Sequence, residues 1–378
     1  MAKSKWMEKL QKLPGAVDFS YNYFDHVVRS KSPSLNFIFG KGWGLPLGTT
    51  AIFWGPAKSG KSLSSYLMAA ELHATDPEAI VVRFDTEMRG GFQLTADTAK
   101  TWGIDMNRFI TYNTNTPNEI FDTIEKEILS YIQDGMPLKM IIIDSLSGIR
   151  GRRSLNADTI DTQQIGDQAM TLQDGLSRIL HIVKKNKIAL VLTAHARAEM
   201  DPLEIRRGKK YKMQSAFAAQ HFAEYFVLVE RNYNKEGRTD LLGREFVNEQ
   251  YSDLVDNSEA TGHKIRVKMV DCSAGGSKGR TGEFTFDYNR GLINVHEEVF
   301  RLGVNRGVIT KPSTMSYEYN GMKWTGRANC IQALEASKEL QEAIIAELID
   351  KDNNGGYSSQ EVVLQNNEET PLNDESPI

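Results

Sequence analysis

The residues Gly55, Pro56, Ala57, Lys58, Ser59, Gly60, Lys61 and Ser62 satisfy the pattern GxxxxGK[ST] between an apolar run and a segment with helical apolar spacing. Glycines at these positions let a loop curl so that its N–H groups and the following helix terminus face a phosphate. Lys61 then supplies a point charge to the β- and γ-phosphates of ATP, and the Ser62 hydroxyl a ligand for Mg²⁺. Asp144 closes the run KMIIID, where a strand-tip carboxylate can hold the water shell of that Mg²⁺. Glu87, in RFDTE, is expected to polarise the water that attacks the γ-phosphate, with Lys61 as the other catalytic group. Asp85 competes for the role of Glu87 but still belongs to its strand.

Two basic segments follow strands of the same set. The first, about 148–162, carries Arg150, Arg152 and Arg153 among glycines. The second, about 196–217, carries Arg206, Arg207, Lys209, Lys210 and Lys212, interleaved with Tyr211 and Phe217. Loops at the carboxyl edge of a parallel sheet are where such sheets bind ligands, and paired basic loops with aromatics suit a nucleic-acid backbone and its bases. Taken alone, each loop is equally a solvated charged surface. His195 ends the run LTAH where the second loop begins, and a polar group there is placed to sense the γ-phosphate.

These residues must be positioned by alternating strands and helices. Four β-branched-rich runs, Thr49–Gly55, Ala79–Asp85, Lys139–Asp144 and Lys187–Ala194, read as buried strands of an α/β fold, a mostly parallel sheet flanked by helices. Thr116, Pro117 and Glu119 predict a capped helix start, with Ile120, Ile124 and Ile128 on one face. Residues 163–186 repeat Ile165, Ala169, Leu172, Leu176, Ile179 and Val183 at helical spacing. Further strands are expected at 224–230, 264–270 and 283–288. The expected organisation is a helical oligomerisation segment over 1–30 with Trp6 and Leu10 on its apolar face, and a core over 31–295 with a polar insertion at 232–262. A small α/β subdomain over 296–350, with two helical stretches around a Gly- and Tyr-containing turn region, and an acidic disordered tail over 351–378 complete it.

Composition narrows the function classes. With 45 Lys and Arg against 49 Asp and Glu, no overall positive field draws this chain of 378 residues to nucleic acid, so local patches must do it. Two cysteines, Cys272 and Cys330, make neither a disulfide framework nor a thiolate zinc site. No apolar run reaches the roughly 18 residues that span a bilayer, and the start MAKSKWMEKLQKL has no signal-peptide core. A cytoplasmic protein without a membrane partner is expected.

Together, the Gly55–Ser62 loop, FDTE, IIIDSLSGI, LTAH, the stretch VVRSKSPSLNFIFG (27–40) and the segments LGVNRGVI (302–309) and YNGMKWTGRAN (319–329) resemble the RecA-family recombinases. The likeness is greatest to the phage branch of UvsX-type proteins. The resemblance implies a RecA-like P-loop ATPase that polymerises as a helical filament on single-stranded DNA, pairs it with homologous duplex and exchanges strands. It implies ATP and Mg²⁺ as cofactors, recombination-mediator and single-strand-binding proteins as partners, and the host cytoplasm as location if the gene is a phage's. By the same resemblance Glu87 activates water, His195 is the phosphate switch, the two basic loops bind DNA, and the tail competes with DNA for basic surface. The family's basic residues that reach a neighbour's ATP align with Cys272 and Ala274, leaving Lys268, Lys278 or Arg280 as substitutes. The alternatives are a RecA-like ring helicase, which needs a further oligomerisation domain, and a regulatory RecA-like ATPase without DNA chemistry.

Overall fold

A computed structural model describes residue 9 and residues 22–89, 94–155, 166–214, 221–231, 238–239, 262–273 and 276–354. The chain divides into two compact units, with the boundary between Glu298 and Val299. Trp6, Leu10, Phe217, most of the 232–262 segment and the tail beyond 354 lie outside the described residues.

The larger unit is built on one sheet in which six strands run parallel. In spatial order they are Tyr225–Arg231, Thr50–Gly55, Ala189–Ala198, Leu138–Asp144, Ile80–Asp85 and Phe109–Asn113. Beyond Tyr225–Arg231 the sheet turns antiparallel through Gly262–Cys272, Thr281–Asp287 and Gly291–Ile293. Parallel strands covered on both faces carry apolar side chains at every position, and Thr50–Gly55 is buried throughout. The helix Asp167–Lys185 lays Leu172, Leu176, Ile179 and Val183 against Ile120, Phe121, Ile124 and Ile128. Each such side chain, once buried, contributes about 1.5–3 kcal/mol. Gly175 is required at that contact, since a Cβ there would lie 2.1 Å from the Phe121 ring.

Register brings the sheet's chemistry to one edge. Gly55 lies opposite His195 and Asp85 opposite Asp144, so four neighbouring strands bring these residues to the same edge of the sheet as the loop between Gly55 and Lys61. The helix Lys61–Thr75 starts directly from that loop.

Several expectations change. The Thr116 side chain does not cap its helix; Thr114 Oγ1 accepts from the Thr116 N–H at 3.1 Å and itself donates to Glu119, whose carboxylate therefore turns away from the capping-box position. The helix that follows runs Pro117–Asp122, widens to a π-helix over Thr123–Ile128 and resumes over Leu129–Gln133. Within 1–30, the described residues 22–30 form a 3₁₀ turn at Tyr23–Asp25 and a two-residue strand pairing Val27 with Pro46, so they join the core unit rather than a helical arm. The second basic segment is not a plain loop. The strand Ala189–Ala198 runs on past His195 and pairs antiparallel with Tyr211–Met213, enclosing the short helix Pro202–Arg206. In the smaller unit the Gly- and Tyr-containing region is a three-stranded antiparallel sheet, Thr310–Ser313, Ser316–Tyr319 and Met322–Thr325, followed by the helices Arg327–Ala336 and Lys338–Asn353.

Candidate functional site

A cavity of about 640 Å³ opens at the carboxyl edge of the parallel strands, and its lining includes the loop residues Ala57–Ser62 together with Trp102, His263 and Tyr288. Its volume is that of a small-molecule site. The loop's shape follows from its sequence. Lys58 and Gly60 take left-handed backbone angles (φ 59° and 101°), a Cβ on Gly60 would meet Ile265 at 2.5 Å, and one on Gly55 would meet the Val229 carbonyl at 2.0 Å.

Lys61 is buried, and its Nζ donates to the Gly55 and Pro56 carbonyls at 3.1 and 2.7 Å. Burial pulls its ammonium pKa down to about 8, against the opposing pull of Asp144 and Glu87. Ser62 sits beside it on the first helical turn and lines the cavity.

Asp144 is held from beneath. Thr193 Oγ1 donates to its Oδ1 at 2.6 Å, and Arg83 Nη2 to its Oδ2 at 3.0 Å. Arg83 is fully buried, lies 3.5 Å from Asp85, and has its guanidinium carbon 5.4 Å from the Tyr66 ring centroid. A cis peptide bond joins Asp144 to Ser145.

Glu87 and His195 meet directly, with Nε2 and Oε1 2.5 Å apart. Ser145 Oγ donates to the same Glu87 oxygen at 3.1 Å, and Arg89 Nη1 stands 3.2 Å from the other. The hydrogen bond to His195, with the His195 charge, Ser145 and Arg89 adding to it, holds the Glu87 pKa at about 2 in spite of burial. Asp85, by contrast, has no exposed surface, and its Oδ1 accepts the Glu87 N–H at 3.1 Å, so of the two only Glu87 presents a carboxylate with access to solvent.

The cavity thus brings together Lys61, Ser62, Asp144, Glu87 and His195. The basic residues are not part of it. Arg150, Arg153, Arg206, Arg207, Lys209, Lys210 and Lys212 are exposed, and Arg152 is half-buried at 3.6 Å from Asp174. Glu204 pairs with both Arg207 and Lys209, which lowers the local positive field of the second segment. Of the basic residues near the Cys272 turn, Arg280 lies over the Phe37 ring and donates to the Phe37 carbonyl, Lys278 is 3.1 Å from Asp271, and Lys268 is exposed.

Arg83, Tyr66, Trp102, His263 and Tyr288 also belong to this site or its support, and sequence reasoning does not single them out. Only Arg83 leaves a local signal, a charge inside the apolar run IVVRFD. Among the described residues no cluster of three or more metal-ligating side chains occurs. The donor set fits a hard cation held by one hydroxyl and one carboxylate with phosphate and water completing its shell, which is how Mg²⁺ binds beside a nucleotide.

A family model described as the RecA N-terminal domain matches residues 21–209, half of the chain. Protein RecA of Mycoplasmopsis pulmonis (strain UAB CTIP) is 23% identical over 328 residues, which cover 86% of this chain and 86% of the relative. Protein RecA of Wolbachia sp. subsp. Brugia malayi (strain TRS) is 23% identical over 324 residues, 85% of this chain and 81% of the relative. Protein RecA of Thermotoga neapolitana is 22% identical over 325 residues, 84% and 82% respectively.

Proposed function

The chain belongs to the family of the RecA N-terminal domain, and from that premise we propose that it is a recombinase that uses ATP to pair and exchange DNA strands. One observation carries the reading. The strand Ala189–Ala198 carries His195, which lines the cavity, and Thr193, which holds Asp144, and then pairs with the strand Tyr211–Met213 inside the basic segment, so a single element touches both the candidate ATP site and the candidate DNA surface.

In this reading Gly55–Ser62 hold the triphosphate, and Lys61 leaves its loop carbonyls for the γ-phosphate. Ser62 and Asp144 would hold Mg²⁺, which when bound would supply positive charge to stabilise the phosphoryl oxygens. Glu87, ionised well below neutral pH, accepts the proton of the attacking water. His195 reports the state of that carboxylate to the basic segment, ATP favouring the DNA-gripping state and hydrolysis release. Arg150, Arg152, Arg153, Arg206, Arg207, Lys209, Lys210 and Lys212 contact the DNA backbone, leaving base pairing to read sequence. Head-to-tail contacts that do not close into a ring build the helical filament on single-stranded DNA. The overall resemblance to the UvsX-type phage branch implies a host-cell cytoplasmic site of action if the gene is a phage's, and partners of the mediator and single-strand-binding classes.

The test mixes the protein with ATP, Mg²⁺ and a labelled single-stranded oligonucleotide, then adds homologous or heterologous duplex. Joint molecules that require homology and ATP, and vanish in Lys61→Ala, are expected. Homology-independent unwinding would replace this reading with a helicase, and ATP turnover indifferent to DNA with a regulatory ATPase.

A further inference from the structure

The two oxygens of the Glu87 carboxylate are not equivalent. Oε1 accepts from Ser145 Oγ at 3.1 Å and lies 2.5 Å from His195 Nε2, which donates to it because an ionised carboxylate only accepts. Both lone-pair positions of Oε1 are thereby in use, so a water that gives its proton to Glu87 must approach Oε2. That oxygen already faces a cation, since Arg89 Nη1 stands 3.2 Å from it. The guanidinium competes with the reacting water for Oε2, and its charge makes the carboxylate a weaker base.

Little holds Arg89 there. Its side chain is 64% exposed, and among the described residues Glu87 is its only ion-pair or hydrogen-bond partner. An ion pair so open to water is worth little. Yet the guanidinium is not turned away from the site. Met88 takes a left-handed φ of 56° between the two residues, and both Glu87 and Arg89 line the cavity that the loop Ala57–Ser62 also lines. Arg89 is the one arginine in that lining among the described residues.

We propose that Arg89 is a further catalytic residue: when ATP binds, its guanidinium leaves Glu87 for the γ-phosphate, which frees Oε2 for water and sets positive charge against the phosphoryl group being transferred. The move follows from charge and shape. A terminal phosphate carries more negative charge than a carboxylate and offers more oxygens to the fork of guanidinium N–H groups, so it outcompetes Glu87 for Arg89. Arg89 donates hydrogen bonds and transfers no proton; the proton of the water goes to Glu87. The inference rests on the nucleotide reading above and adds the group that ties release of the base to the arrival of the third phosphate. ADP, lacking that phosphate, leaves Arg89 on Glu87.

The experiment uses the full chain with Mg²⁺ and a saturating single-stranded oligonucleotide, in wild type, Arg89→Ala and Arg89→Lys. It measures affinity for ADP and for the β,γ-imido analogue of ATP, and phosphate release at saturating ATP. Arg89→Ala should lose roughly 10- to 100-fold of the preference for the triphosphate over ADP, the worth of a hydrogen bond to a charged group. Its phosphate release should fall by about 10²-fold or more. Arg89→Lys, which keeps the charge without the fork, should lie between the two. The ratio of the two affinities is taken within each variant, so a change in the amount of folded protein cancels. Faster release in Arg89→Ala with an unchanged ratio would make Arg89 only a restraint on Glu87 and overturn the move to phosphate. Unchanged release and ratio would remove Arg89 from the reaction. A wild type that binds neither nucleotide overturns the nucleotide reading and this one with it.

Discussion

Replacing Arg83 by Met is expected to destabilise the larger unit by about 3–5 kcal/mol, the usual cost of stripping one partner from a buried ion pair. The guanidinium has no exposed surface and faces two carboxylates, Asp144 at 3.0 Å and Asp85 at 3.5 Å. With an effective dielectric constant of about 20 those separations correspond to roughly 5.5 and 4.7 kcal/mol of attraction. Against this stand the desolvation of three charged groups, several kcal/mol per ion, and two guanidinium nitrogens, Nε and Nη1, that find no acceptor among the described residues. The pair is therefore worth little net, whereas removing the cation alone leaves two buried carboxylates uncompensated. The assay is urea unfolding followed by circular dichroism on wild type, Arg83→Met, Asp85→Asn and the double variant. Asp85→Asn should recover part of what Arg83→Met loses, with a coupling above about 1 kcal/mol for side chains in contact. Stability of Arg83→Met within about 0.5 kcal/mol of wild type would refute the reasoning, because the carboxylates would then need no counter-charge.

Glu87→Gln should bind ATP as wild type does and hydrolyse it about 10²–10⁴-fold more slowly, measured by steady-state phosphate release; unchanged turnover removes Glu87 from the water-activating role. The Glu87 pKa of about 2 against an ordinary 4.5 is a depressed carboxylate, so its stabilising effect is present in full above about pH 4.5 and lost as pH falls through about 2. The stability difference between wild type and Glu87→Gln should accordingly shrink as pH falls below about 4.5 in acid-titrated melts. Gly175→Ala places a methyl 2.1 Å from the Phe121 ring and should cost about 1–3 kcal/mol by overpacking. Gly135→Ala, at φ 101° with nothing within 4 Å, meets only backbone strain and should cost about 1–2 kcal/mol, read by differential scanning of both variants.

The parts of the fold visible in the amino-acid sequence are those whose burial is complete. Thr50–Gly55, Ile80–Asp85, Leu138–Asp144 and Ala189–Ala198 read as strands because both of their faces are covered for most of their length. Phe109–Asn113 stands at the sheet edge with Ile110 and Tyr112 exposed, so it carries no apolar run to find. The three-stranded sheet of the smaller unit is legible no better: TKPS, SYEY and MKWT are short and polar, and their pairing is fixed by turns and cross-strand contacts. The site divides in the same way. Asp144 and His195 close apolar runs, Glu87 stands two residues past one, and Lys61 is marked by the glycine-bearing loop motif, so all four announce themselves. Trp102, His263 and Tyr288 come from three separate segments, and only the sheet's antiparallel extension brings them to one cavity. Arg83 is hidden by its context, since a charge within a buried strand has meaning only once Asp85 and Asp144 are seen around it.

How a signal leaves the cavity is constrained by the backbone at His195. In a strand, alternate side chains share a face, so Thr193 and His195 lie on the same side, one holding Asp144 and the other Glu87. The His195 N–H donates to Ser147 Oγ at 3.1 Å, and its carbonyl accepts the Gln214 N–H at 2.8 Å. The pairing continues with Glu199 N–H to the Lys210 carbonyl at 3.0 Å, so the strand end and the basic segment are tied at two points on either side of the helix Pro202–Arg206. A rotation of the imidazole alone breaks the contact with Glu87 and leaves those bonds in place, moving nothing beyond the cavity. A shift of the strand end carries Gln214 and Lys210 with it and repositions Arg206, Lys210 and Lys212 together. If nucleotide and DNA are coupled through His195 as proposed above, the coupling requires displacement of the strand, and loss of the hydrogen bonds with Ser147 and Gln214 is expected to uncouple the two sites while leaving the Glu87 contact intact.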